Sequence, residues 1–469
     1  MFCYTIIILI MRKHTDGFFS IDPTHGFLPI KEPLHTLPKP YIEVQKLIDL
    51  MPIEKENGQP GLLATENAFE EEVKKLPNYI DSAEKEKDPF ILAALFRAYS
   101  FIASAYTLAP AHHSFLKTGN YGKGRERLPK NIAQPFVAVA NKLEVYPWLD
   151  YHYAYSLGNY KKKVATGGLN WENLFMSAKF SGMDDERGFI MLHVDINQYS
   201  PDLLKSVFGI TDHWGNKDQM NKHLSLLATT LQRMNERRKL MWEASRWKHY
   251  NDFRIFIMGV KGNEDLFPNG LMYEGVWDKP HAYRGQTGAQ DNIIPTADII
   301  SGVTHFYPKN QLTKYLIDLR QYRPKCIQNF FNELNSFMEK EPLIQHLSET
   351  KNPEGMLHLM EVFEQIYLFR NGHWQFVQKY IMKNTAYPKA TGGTPITSWI
   401  PNQIKAVLKA MKVLSEKMKN YTNWDKKKWK EKYDLKVKLL NKQLQIVSIE
   451  AFNPDEVFEL NLKYNNRDF

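Results

Sequence analysis

Cysteine is nearly absent. Cys3 and Cys326 are the only two in 469 residues, which excludes a disulfide framework and a cysteine-based zinc site. A reducing cytoplasm is the expected setting. Near the N-terminus no apolar run is long enough to span a bilayer: Phe2–Ile10 (FCYTIIILI) falls short, and no small-residue cleavage site follows it. That stretch reads either as a short signal-like segment or as the product of a start upstream of Met11. Neither a fixed-period repeat nor an alternation of strands with crossover helices is present, so a solenoid and a doubly wound sheet are both excluded. The Gly119–Arg127 loop, GNYGKGRER, lacks the preceding strand and the Lys-Ser/Thr ending of a phosphate cradle, and reads as a surface turn.

Excess charge is missing from most of the chain as well. The formal net charge is +9, but Ile404–Lys442 alone holds 13 lysines against four acids. The remainder is formally neutral and offers no basic groove, so no nucleic-acid partner is expected. Within the basic segment, YTNWDKKKWKEKYDLKVKLLNKQL reads as a solvated amphipathic helix, with contact to an acidic partner or a membrane surface as the lesser reading.

What is present is apolar and aromatic. Hydrophobic content of 43% and aromatic content of 13% describe a globular chain, long enough for two or three domains. Residues 12–60 are a Pro/Gly-rich lead-in, after which the pattern turns helical. Phe90–Leu108 is apolar almost all round, carries Arg97 and is bounded by Pro89 and Pro110, which predicts a buried core helix. Leu128–Tyr160 is helical by period, and Lys161–Asn170, with Gly167-Gly168, reads as a linker. A second helical block opens at Trp171, breaks at the turn-rich Lys261–Pro280 and resumes with an amphipathic helix over Leu312–Phe337. The expected organisation is a smaller helical domain over 12–170, a larger one over 171–403 and a Lys-rich helical extension over 404–469. The fold class is all-α.

Leu359–Tyr380 (LMEVFEQIYLFRNGHWQFVQKY) carries the sharpest signal. Leu359, Val362, Ile366, Phe369, Phe376 and Tyr380 recur at steps of three and four, and His373 fills the remaining slot of that seam. Asn352-Pro353-Glu354 supplies an N-cap, a first-turn proline and an acid at the positive helix end. The spacing alone leaves two readings of His373. One is a core histidine with both nitrogens satisfied; the other is an axial ligand to haem iron, with Arg370 one turn earlier as a cation for a propionate.

The ordered set GFLPIKEPL, LPKNIAQPF, KLEVYP, LGNY, DDERGF, RIF, GVKGN, NGLMYEGVW, RGQTGAQ, LRQYRP, FRNGH, VQKYI and ATGGT, from Gly26 to about Ile404, resembles the indoleamine 2,3-dioxygenases. The resemblance implies a two-domain all-helical enzyme enclosing haem b, acting on L-tryptophan and O₂ to give N-formylkynurenine. A monomer is expected. By position His373 becomes the proximal iron ligand, Arg370 the propionate partner and Asp298 an acid on the proximal side. Asp298 would orient the imidazole, or else form a structural ion pair. Phe189, His193 and Arg254 take the catalytic positions: a pocket aromatic, a partner for the indole N–H or a bound oxygen, and a carboxylate clamp. The alternatives are a wall residue for His193 and a structural arginine for Arg254. His249, Tyr250, Thr287, Gly288 and Thr391 complete the substrate set, with Thr391-Gly392-Gly393 in a mobile flap.

Two departures from the family pattern stand out. His249 and Tyr250 replace an apolar aromatic pair, predicting a more polar pocket, and Gln286 stands where a glycine is common; both changes bear on substrate identity more than on haem binding. Around Tyr151 and His152 the spacing carries one extra residue, so neither is assigned. The rival readings are a haem enzyme of the same superfamily acting on another indole, and a non-catalytic haem-binding or sensor protein.

Overall fold

The computed structural model describes residues 12–382, 391, 396–419, 421 and 425–450. Phe2–Ile10, Cys3, Gly392 and Gly393 lie outside them. The architecture is helical, and the described strands form three two-stranded pairs. The chain enters through the hairpin of His14–Thr15 and Ser20–Ile21. Asp16 anchors that entry, accepting from the backbone N–H of Phe18 and Phe19 at 2.9 and 2.7 Å and from the Tyr153 hydroxyl at 2.6 Å.

Pro89–Thr118 is the long central helix of the N-terminal half. Asp88 caps it, accepting from the N–H of Phe90 and Ile91, and it stops at Gly119, whose φ of 76° suits a residue without a Cβ. It is the one described helix long and apolar enough to cross a membrane, but 89% of its apolar window is buried in the protein, as a core helix requires. Arg97 is tolerated there because its guanidinium reaches two carbonyls, Gly158 O at 2.7 Å and Leu34 O at 2.5 Å.

Three local expectations change. Lys161–Asn170 is not a free linker: Tyr160–Lys162 pairs antiparallel with Leu174–Met176, so Gly167-Gly168 lie in the loop of a hairpin. Trp148–Tyr160 is not a regular helix. Only Tyr151–Tyr155 coils, as a single π turn capped by Asp150. The Leu312–Phe337 helix is two, Gln311–Leu319 and Lys325–Lys340, because Pro324 bars helical backbone at Arg323.

Pro353–Val377 forms as its cap residues predict, with Asn352 accepting from Gly355 N at 3.0 Å and Pro353 in the first turn. It packs against Lys217–Arg238 on one side and Ile396–Met418 on another. Burial therefore extends beyond the predicted seam to Met360, Phe363 and Trp374. Ile396–Met418 runs through position 404, with Ile404, Val407 and Leu414 fully buried. In the helix that follows, Lys426–Glu450, Lys432 and Lys436 reach Glu364 while Leu435 is exposed.

Candidate active site

Asp184–Asn197, Lys217–Arg238, Ile293–Ser301 and Pro353–Val377 leave a cavity of about 220 Å³ between them. It gathers most of the residues singled out in the sequence: Phe189, His193, Tyr250, Thr287, Gly288, Asp298, Arg370, His373 and Thr391.

On one wall the predicted seam delivers Phe369, His373, Phe376 and Tyr380. The His373 imidazole makes no hydrogen bond among the described residues and faces the cavity. Burial, helped by Arg238 and His193, lowers its pKa to about 4, so the ring is neutral at pH 7. The Arg238 guanidinium occupies the space beside Gly372, where a Cβ would lie 2.1 Å from Arg238 Nη1, so any side chain there must displace it. Arg238 lines the cavity, its guanidinium over the rings of Phe369 and Phe376 at 5.6 and 5.5 Å.

Arg370 is buried against Asp298. Its Nη2 donates to Asp298 Oδ2, and its Nη1 to the Gln403 carbonyl at 3.2 Å. Tyr307 also donates to Asp298 Oδ2. Asp298 makes no hydrogen bond to His373: its carboxylate holds the neighbouring arginine. Burial pushes the Asp298 carboxyl up, against the opposing pull of Arg370 and Tyr307. Arg320 and Arg323 also line this cavity, so four arginines surround it.

His193 also lines the cavity, one helical turn from Phe189, with ring centroids 5.8 Å apart. Burial lowers the His193 pKa, against an opposing influence from Asp291. The helix that carries both is fixed by the DDERGF acids. Glu186 accepts from the N–H of Phe180, Ser181 and Gly182 and from the Ser181 hydroxyl, while Asp185 pairs with Arg246.

Tyr250 completes the wall 5.1 Å from Phe189. His249 does not reach it. The two are consecutive in a helical turn and point about 100° apart, and His249 turns to Asp252, 3.1 Å away. Of the pair, Tyr250 alone brings a polar group to the cavity, and Gln286 lines it beside Thr287. Arg254 is fully buried near Tyr121 and Tyr250, and its charge opposes the burial that raises both phenols; it is not among the residues lining the cavity. Thr391 is tied to the same strip: its hydroxyl donates to Gln286 O at 2.6 Å and its carbonyl accepts from Gly259 N.

A family model described as Indoleamine 2,3-dioxygenase matches residues 16–432. The chain belongs to that family. It is 25% identical over 411 residues to indoleamine 2,3-dioxygenase 1 of Rattus norvegicus, covering 84% of this chain and 95% of the relative. Against indoleamine 2,3-dioxygenase 1 of Mus musculus it is 28% identical over 367 residues, 77% of this chain and 84% of the relative. A myoglobin of Haliotis madaka matches at 27% over 273 residues, 56% of this chain and 66% of that protein. The match extends past Ile404 and takes in the whole Ile396–Met418 helix.

As an indoleamine 2,3-dioxygenase-type oxidoreductase, the chain falls in a haem-dependent family. Its cavity fits that group. A neutral imidazole with no protein partner faces apolar walls, as an axial ligand must, and buried arginines flank it where carboxylates need cations. Arg370 Nε has no hydrogen-bond partner among the described residues.

Three cavity arginines, Arg238, Arg320 and Arg323, together with Tyr151 and Asp291, which contact or back His193, were not assigned from the sequence. The extra residue near Tyr151 was the one available signal.

Proposed function

We propose that this chain opens the indole C2–C3 bond of L-tryptophan with both atoms of O₂, giving N-formylkynurenine, the first step of the kynurenine pathway. The single observation that carries the reading is the His373 imidazole, with no hydrogen-bond partner among the described residues, lining an apolar cavity that Phe189, His193 and Tyr250 also line. His373 would hold haem b by its iron, and Arg370 and Arg238 would meet its propionates. The bound haem supplies the oxygen chemistry that no side chain here can perform.

The chain's own residues bind, orient and exclude water. Phe189 and Tyr250 offer flat apolar faces to an indole, and Ile257 adds aliphatic contact. Arg254 is the partner for the substrate carboxylate, with Tyr250 and Tyr121 as the hydroxyls it leaves or shares on binding. Gln286, Thr287 and Thr391 supply polar contacts at the rim, and the Thr391–Gln286 bond ties the rim to the segment beyond it.

The Haliotis madaka match favours one second reading, a haem protein that holds oxygen without oxidising an indole. A single assay separates them: the reduced, haem-loaded protein is given tryptophan and O₂ while near-ultraviolet product absorbance is followed. Turnover with tryptophan supports the dioxygenase. Turnover only with tryptamine or a substituted indole moves the substrate, and oxygen uptake with none of them overturns the proposal in favour of the second reading.

A further inference from the structure

Behind His193 lies a short buried chain of hydrogen bonds. His193 Nδ1 is 3.1 Å from the Tyr151 hydroxyl, and that hydroxyl donates to Asp291 Oδ2 at 2.8 Å. Asp291 is surrounded by donors only: Asn197 Nδ2 reaches the same oxygen at 2.9 Å, and Ile293 N reaches Oδ1 at 2.8 Å. The Asn197 orientation is fixed as well, because its Nδ2 also donates to the His193 carbonyl at 2.8 Å. A carboxylate accepts, so the single Tyr151 proton is committed to Asp291. What remains on the Tyr151 oxygen is lone pairs. The contact with His193 Nδ1 is then satisfied only if Nδ1 carries the ring proton, which leaves Nε2 bare.

Nε2 makes no hydrogen bond among the described residues, and the His193 ring lines the cavity. The position of Tyr151 follows from the π turn Tyr151–Tyr155, in which Asp150 accepts from Tyr153 N and Ala154 N at 3.2 and 2.8 Å. A π turn is how a helical segment absorbs one extra residue. The surplus residue noted in this stretch is thus accommodated beside a side chain that reaches His193.

We propose that Tyr151 and Asp291 are positioning residues that hold His193 in its Nδ1–H tautomer, presenting Nε2 as an acceptor for a ligand N–H, the indole N–H of the substrate. The identity of that ligand rests on the proposed function; the tautomer does not. The pair makes the site selective for an indole that carries its N–H over one alkylated there.

Two measurements test this. The first is long-range ¹H–¹⁵N NMR on histidine-labelled holoprotein in its diamagnetic ferrous–CO form, with His193→Gln identifying the signal. The wild type is expected to show Nδ1 protonated and Nε2 bare, and Tyr151→Phe to lose that single state. An Nε2–H tautomer in the wild type overturns the proposal whether or not the variant folds. So does a tautomer unchanged in a folded Tyr151→Phe.

The second is a binding titration of tryptophan against 1-methyltryptophan. The preference for the free N–H should fall about fivefold in Tyr151→Phe, the size of one hydrogen bond. A general loosening would weaken both ligands alike, and an unchanged preference overturns the assignment of Nε2 to the indole N–H. If the wild type binds neither indole, the substrate reading fails while the NMR result still decides the tautomer.

Discussion

Arg370 and Asp298, 72 residues apart in the chain, form a buried ion pair on the cavity wall, with the Tyr307 hydroxyl on the same carboxylate oxygen. The pair consumes the acid that was expected to orient His373. It also leaves Arg370 Nε and Asp298 Oδ1 without hydrogen-bond partners among the described residues, next to the cavity.

Removing the acid should therefore strand a buried guanidinium. Asp298→Ala is expected to cost about 3–5 kcal/mol of stability, and Asp298→Asn less, because the amide oxygen still accepts. Thermal unfolding of the two variants checks the order. Equal losses would show that the amide oxygen rescues nothing and that the charge on Asp298 carries the whole effect; an Asp298→Asn variant as stable as wild type would show that the charge contributes nothing.

His373→Ala should leave the fold intact, since no hydrogen bond among the described residues is lost, and abolish normal haem ligation. An unaltered ferrous–CO spectrum with a retained far-ultraviolet circular dichroism signal would reject the ligand assignment.

Gly372→Ala should displace Arg238, whose guanidinium occupies the space of the added methyl. A loss of about 1–3 kcal/mol is expected, read from Tm, together with weaker haem retention. A variant as stable as wild type would show that Arg238 has somewhere else to go.

Arg254→Lys should lower kcat/KM for tryptophan roughly tenfold or more, since an ammonium cannot reproduce a two-pronged carboxylate contact. Tryptamine, which lacks the carboxylate, should be much less affected. Equal effects on both amines would assign Arg254 to the wall rather than to the substrate.

His112 gives a pH dependence. It is buried beside Phe256, 5.0 Å between ring centroids, and burial, with a smaller push from His113, lowers its pKa from 6.5 to about 4. In that window the unfolded chain holds the proton and the folded chain does not. The contribution to stability is complete above pH 6.5 and is lost as pH falls toward 4, by at most about 3 kcal/mol. His112→Leu should flatten this part of the stability profile; an identical acid slope in the variant would place the titration elsewhere.

Much of the site was legible along the chain because the relevant signals are local. The seam through Leu359, Ile366 and Phe376 pointed His373 inward, and Asn352-Pro353 marked where its helix begins. Arg370 was picked out as a cavity cation from its place one turn before His373. The helical spacing of Phe189 and His193 placed both on one wall. His249 was misjudged because adjacent residues in a helical turn diverge, and only packing says which one faces in.

The sequence by itself determined the helical class, the family and the inward imidazole, since periodicity, caps and ordered motifs are relations between residues close in the chain or fixed in order along it. Only the tertiary structure decided that Asp298 holds Arg370, that Lys161–Asn170 belongs to a hairpin and that Tyr151 and Asp291 stand behind His193. Tyr151 is separated from His193 by 42 residues and from Asp291 by 140. Hydrogen bonds over such distances depend on how whole helices pack, and no local pattern encodes them.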